Sequence, residues 1–224
     1  MPVIPSLASA DSLAFRDEIG RISGIPRLHL DIEDGTFVPN ITFGMQTVRA
    51  VADTTNADLD AHLLVQFPHD YIKSLARFGV KHLAVHYEAL RYPLDTLATI
   101  RKAGMKAGLA LNFITAAEAL RPFADSLDYV LIMTAEPDGH GQTFRSRMLG
   151  KIEAARRLLP SSASVWADGN IGFDTIMDVA RAGADTIIAG RAIWSEKDPV
   201  AAWHDLEELL NKNSKVGSAA LIHQ

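Results

Sequence analysis

Eight short apolar runs, each separated from the next by a longer segment of mixed polarity, constrain this chain more than any other feature. They are "VIPS" (3 to 6), "RLHLDI" (27 to 32), "LDAHLLV" (59 to 65), "HLAVHY" (82 to 87), "KAGLALN" (106 to 112), "YVLIMT" (129 to 134), "SVWAD" (164 to 168) and "TIIAG" (186 to 190). Their length and bounding turn residues predict buried strands. Most of the intervening segments carry apolar residues at helical spacing, and "RFG", "KAG" and "RAG" supply the glycine expected just past a helix end. Strands that alternate with helices must pair in parallel through crossovers, and eight of them close most simply into a single (β/α)₈ TIM barrel. The barrel is expected to occupy residues 1–210, with 211–224 as a loose tail. An open doubly wound sheet is the rival, but no dinucleotide glycine fingerprint follows the first strand.

The 224 residues, 48% of them hydrophobic, can bury a substantial core. A net charge of -5 offers no large basic field, so neither nucleic acid nor an anionic membrane surface is expected as a partner. No cysteine is present, which excludes disulfides and thiolate metal sites. The start of the sequence does not read as a secretory signal, and no run reaches the roughly 18 apolar residues of a membrane span. A cytoplasmic location is expected.

Against this apolar background, ionisable residues on the strands stand out, because barrel strands are covered on both sides and charged groups there need partners or a metal. His29 and Asp31 share one face of the second strand, and Glu33 follows at the same spacing. Asp60 and His62 share a face of the third, and the seventh ends at Asp168. His29, Asp31, His62 and Asp168 therefore fall near the C-terminal ends of three strands, where barrel catalytic groups collect. Two imidazoles and two carboxylates suit zinc, manganese or iron(II). Two opposed carboxylates also suit proton removal from one face of a carbon and return to the other. Taken singly, each is as readily a buried polar residue satisfied by hydrogen bonds. His82 and His86 read as core histidines, with His86 near the functional end, and Trp166, Trp194 and Trp203 read as packing residues.

A second constellation consists of glycine-bearing turns: "EPDGHGQ" after the sixth strand, "DGN" after the seventh and "AGR" after the eighth. Turns there commonly hold a phosphate through backbone N–H groups, although glycine is equally at home in ordinary tight turns. Arg191 strengthens the phosphate reading.

The segments "PSLASAD", "LHLDIEDGTFVPNITFG", "AHLLV", "VHYEA", "LIMTAEPDGHGQTF", "WADGN" and "AGADTIIAGRAIW" together resemble the ribulose-phosphate 3-epimerase family over nearly the whole chain. The resemblance implies a (β/α)₈ barrel and a divalent ion, zinc first among the candidates, held by His29, Asp31, His62 and Asp168. Asp31 and Asp168 would form the acid and base pair. It further implies substrate contacts from Ser6 and His62, and a phosphate held by Asp138, Gly139, His140, Gly141, Gly169, Asn170, Gly190 and Arg191. The implied reaction is C3 epimerisation of a pentulose or hexulose phosphate, of the ribulose 5-phosphate type, through an enediolate. The implied assembly is a homo-oligomer.

Departures from the family pattern bear on specificity. Glu33 and Leu64 replace methionines, leaving Met133 of a sulfur-lined wall, Asp138 and His140 occupy glycine positions, and Arg191 replaces a serine. The chain is similar to unusual members found with bacterial sugar-uptake systems, which directs attention to ketoses other than ribulose 5-phosphate, including an allulose 6-phosphate type. A lyase acting through an enediolate and a non-catalytic sugar-phosphate-binding protein are the competing readings. Lys81 and Lys106 lie at the wrong ends of their strands to serve a lyase.

Overall fold

Every one of the eight apolar runs forms a strand in the computed structural model, which describes residues 1–138 and 141–220. The strands are β1 (Val3–Pro5), β2 (Arg27–Glu33), β3 (Asp58–Leu64), β4 (His82–His86), β5 (Lys106–Leu111), β6 (Tyr129–Met133), β7 (Ser164–Asp168) and β8 (Thr186–Ala189). All pair in parallel as one eight-stranded sheet, in the order β1-β8-β7-β6-β5-β4-β3-β2. A parallel bridge between Ser6 and His29 brings β1 against β2, so the sheet curls into a nearly closed (β/α)₈ barrel.

The helices α1 (Phe15–Arg21), α2 (Met45–Ala52), α3 (His69–Arg77), α4 (Pro93–Lys102), α5 (Leu149–Leu158), α6 (Ile176–Arg181), α7 (Arg191–Trp194) and α8 (Pro199–Ala220) complete the fold. Gly79, Gly104 and Gly183 close α3, α4 and α6 with positive φ, as the three glycine signals predict. Between β5 and β6 the crossover is a 3₁₀ segment, Ala117–Ser126, because Pro122 inside it has no N–H to continue an α-helical ladder. The last helix, α8, runs to Ala220. Once a helix is nucleated against the barrel, each further residue adds a bond cheaply, and no proline intervenes to stop it.

Strand alternation sorts the side chains into two populations. Leu28, Leu30 and Ile32 of β2 join the shell between sheet and helices, whereas Ile4, Ala84, Ala110, Leu131 and Ile188 pack the barrel interior. At the N-terminal mouth, buried Asp60 is 2.8 Å from Arg27 and 2.7 Å from His82. The guanidinium of Arg27 lies over Trp166, which stacks on Tyr129. Gly108 is required beside this plug, since a Cβ there would enter the Tyr129 ring. The interior is thus sealed at its N-terminal end, and His29, Asp31, His62 and Asp168 are left to the opposite end. No helix among the described residues is long and apolar enough to cross a membrane.

Candidate metal centre and substrate pocket

Parallel register is what assembles the ionisable residues. Pairing of β2 with β3 sets Asp31 beside His62, and pairing of β6 with β7 sets Met133 beside Asp168. One donor atom from each of His29, Asp31, His62 and Asp168 lies within 4.8 Å of all the others. Nδ1 of His62 is 3.1 Å from Asp31 Oδ1 and 3.7 Å from Asp168 Oδ2. Ser6, at the end of β1, donates its hydroxyl to Asp31 Oδ2 at 2.5 Å.

His29 tests whether a cation fits. Its side chain is 1% exposed, and neither ring nitrogen has a hydrogen-bond partner. Nε2 approaches Asp31 Oδ1 to 3.2 Å without hydrogen-bond geometry. An unpartnered buried nitrogen is costly unless its lone pair is otherwise engaged. A divalent ion among four mutually close donors would engage it, and the two-nitrogen, two-oxygen set is ordinary for such ions. The four residues can therefore hold a metal.

The same proximity pulls the protonation equilibria apart. Burial works to raise the pKa of Asp31, but the nearby charge of His29 and the hydrogen bond and charge of His62 overcome it and hold the carboxylate well below its usual range. Asp168 moves upward through burial and the nearby charge of Asp31. For His62 burial acts downward, yet Asp168 and Asp31 outweigh it and raise the imidazole to about 9. Glu33 is pushed up to about 7 by burial and the charge of Asp31, although Asn40 donates to its Oε2 at 2.5 Å.

Above the cluster opens a pocket of about 330 Å³ at the C-terminal mouth. Of the residues expected from sequence, Ser6, Asp31, Glu33, Leu64, Met133, Gly141, Asp168, Gly169, Asn170, Gly190 and Arg191 line it. His29 and His62 lie buried beneath, and Asp138 stands half-buried on the loop after β6 without lining the pocket. Gly139 and His140 fall outside the described residues. Arg191 donates to the Gln142 carbonyl at 3.0 Å, tying the loops after β6 and β8 together. Gly169 has φ +122, and a Cβ there would strike the Ala135 backbone, so the turn after Asp168 admits only glycine comfortably.

Sequence reasoning missed Asn40, Thr42, Ser9 and Gln142, which also line the pocket. Asn40 and Thr42 sit in the "VPNITFG" run after β2. Thr42 donates to the Asp31 carbonyl at 2.6 Å and accepts from the Glu33 N–H at 3.2 Å, fastening that loop to the strand that carries both carboxylates. Only the polarity of the run could have signalled this. His86, read as a core histidine, is indeed buried, but its Nε2 touches Nε2 of His62 at 2.9 Å.

Fold and site together define a (β/α)₈ barrel with a two-histidine, two-aspartate centre at the floor of its C-terminal pocket. The chain belongs to the ribulose-phosphate 3-epimerase family, whose model matches residues 2–194. It is 37% identical to the ribulose-phosphate 3-epimerase of Bacillus subtilis over 88% of this chain and 93% of that one. To the ribulose-phosphate 3-epimerase of Schizosaccharomyces pombe it is 36% identical over 88% of each chain. Among solved structures, KGPDC from Streptococcus mutans superposes with a TM-score of 0.69 at 14% identity, covering 94% of this chain and 97% of that one. Orotidine 5'-phosphate decarboxylase from Pyrococcus horikoshii superposes at 0.65 with 16% identity, covering 91% and 96%. At these identities the two structures share the fold alone.

Proposed function

We propose that the protein is a metal-dependent 3-epimerase of a ketose phosphate, with Asp31 and Asp168 as the proton-transfer pair. The observation that carries this reading is that both carboxylates line one pocket, with His62 between them and their pKa values displaced in opposite directions. Two titratable groups held in different states are what acid and base roles require. A divalent ion held by His29, Asp31, His62 and Asp168, zinc, manganese or iron(II), would supply positive charge to the substrate's C2 carbonyl and so acidify C3.

The ionised carboxylate takes the C3 proton from its side of the substrate, and the protonated one returns a proton from the other side, inverting C3. Ser6 holds Asp31 in place through its hydroxyl, and the buried walls keep bulk water from reprotonating the enediolate at random. Gly169, Asn170, Gly190 and Arg191 form the rim that receives the phosphate, through backbone N–H groups and the Arg191 guanidinium. Gly141 lines the same pocket, and Asp138 lies on the loop after β6. Among the described residues no lysine lines the pocket, which weighs against a lysine-based lyase.

On the opposite wall, the Glu33–Asn40 pair offers acceptors and donors where an apolar surface would offer none. It favours a ketose phosphate that brings a hydroxyl to that wall, in the pentulose or hexulose class, over ribulose 5-phosphate itself. Metal-loaded protein should be incubated in deuterated water with a panel of ketopentose and ketohexose phosphates. Deuterium at C3 with inversion supports the reading; carbon loss points to a lyase, and binding without exchange to a sensor. Preference for ribulose 5-phosphate above all others would sink the role given to Glu33. Asp31→Asn and Asp168→Asn should each lower turnover by roughly 10²–10⁴-fold, and full activity in either would refute the pair.

A further inference from the structure

We infer that His86 and Glu88 are positioning residues that fix the tautomer of His62, so that Nδ1 rather than Nε2 offers its lone pair to the metal centre. The inference rests on the metal-centre reading above and concerns residues outside that donor set. A chain of contacts through two buried imidazoles carries it.

Glu88 lies just past β4, in the short 3₁₀ turn Tyr87–Ala89. Its Oε1 accepts the Asn112 backbone N–H at 2.8 Å and the Thr115 hydroxyl, and its Oε2 is 3.1 Å from His86 Nδ1. Burial would raise its pKa, but the bonds from His86 and Thr115 outweigh it and bring Glu88 down to about 2. It is therefore an acceptor only, and His86 must carry its hydrogen on Nδ1. His86 is fully buried, where an imidazolium is poorly solvated, so it holds one hydrogen and leaves Nε2 bare. That bare nitrogen sits 2.9 Å from Nε2 of His62. Two lone pairs cannot face each other at that distance, so His62 must donate from Nε2. The nitrogen left for a cation is Nδ1, the one 3.1 Å from Asp31 Oδ1 and 3.7 Å from Asp168 Oδ2.

Burial gives this ordering its force. His62 and His86 are both fully buried, so no water can replace a lost partner or reverse the direction of the chain. The anchor at the far end, Glu88 with Asn112 and Thr115, lies on the loops after β4 and β5, away from β2 and β7. The chain thus conveys an orientation to the donor cluster from strands that contribute no donor to it, the arrangement by which an outer partner sets ring tautomer and ligand basicity.

The test uses the full-length chain, stripped of metal and titrated with zinc against a chromophoric chelator. His86→Leu keeps volume but removes the acceptor, and zinc should bind about 10–100-fold more weakly. His86→Gln offers an amide oxygen towards His62 and an amide N–H towards Glu88, and should recover most of the loss. Zinc affinity in His86→Leu equal to the parent's would overturn the inference, as would equal weakening in both variants, which would reduce His86 to a packing role. Nitrogen chemical shifts of the unsubstituted protein give a readout that needs no variant: His86 should be protonated on Nδ1 and bare on Nε2. The reverse pattern in a protein that still binds zinc overturns this inference and leaves the metal centre standing. A parent chain that takes up neither zinc nor manganese would instead overturn the metal-centre reading, and with it the purpose assigned to His86.

Discussion

Asp60→Asn should unfold the protein more readily without touching its chemistry. Asp60 is fully buried at the N-terminal mouth, 2.8 Å from Arg27 and 2.7 Å from His82. An asparagine of the same shape brings no charge to balance Arg27, and turns an NH₂ towards one of the two partners. Breaking a buried pair by altering one member costs roughly 3–5 kcal/mol. Here the side chains of Arg27 and His82 remain 21% and 27% exposed, so water recovers part of their solvation. The lower end, about 3 kcal/mol, is therefore expected. For a chain of this size each kcal/mol moves Tm by roughly 2–4 °C, giving a fall of about 6–12 °C. Thermal unfolding followed by circular dichroism measures it, and kcat well below the transition should match the parent's. A fall in Tm of less than about 2 °C would refute the energetic reasoning. Lost turnover in a folded variant would refute the separation of a sealing end from a reacting end.

Three further outcomes are expected. Chelation should abolish epimerisation, and a divalent ion returned at about 100 times its Kd should stabilise the chain by roughly 2.7 kcal/mol, read as a rise in Tm; an unchanged Tm with zinc, manganese and iron(II) alike would count against the centre. Glu33→Leu removes the acceptor that Asn40 meets, and should shift the kcat/KM ratio towards ribulose 5-phosphate in a panel of ketose phosphates; an unaltered ratio would show that Glu33 selects nothing. Glu88, lowered from 4.5 to about 2 in the folded chain, contributes stability that is present above its unfolded pKa and is lost as pH falls through the folded value. The stability difference between the parent and Glu88→Gln should therefore be constant above pH 5 and shrink as pH falls from about 4.5 towards 2 in denaturant titrations; a difference independent of pH would sink that account.

Much of the site was legible because strand alternation is a local rule. Any extended reading of "RLHLDIE" puts His29, Asp31 and Glu33 on one face, and eight apolar runs leave a barrel as the simplest way to bury them. The family resemblance then joined residues far apart in sequence into one set. What stayed hidden depends on register across the barrel. Nothing in "HLAVHYEA" tells a satisfied core histidine from one that bonds His62, since the difference lies in how far β4 is shifted against β3. Asn40 and Thr42 were equally silent, because a loop folding back onto its own strand leaves no periodic trace.

The sequence by itself determined the alternation of eight strands with helices, the glycine-closed turns, and the supply of two imidazoles and two carboxylates near strand ends. These follow from short-range sterics and from the cost of burying polar groups, which act wherever the chain goes. Only the tertiary structure decided which polar groups became neighbours. It sent Asp60 to Arg27 and His82 at one mouth and His62 to Asp31 at the other, two residues apart on a single strand. The reason is geometric: a strand rises roughly 3.3 Å per residue, so inward-facing positions two apart lie on different levels of the barrel. Parallel pairing with the neighbouring strands then sets the partners each level receives.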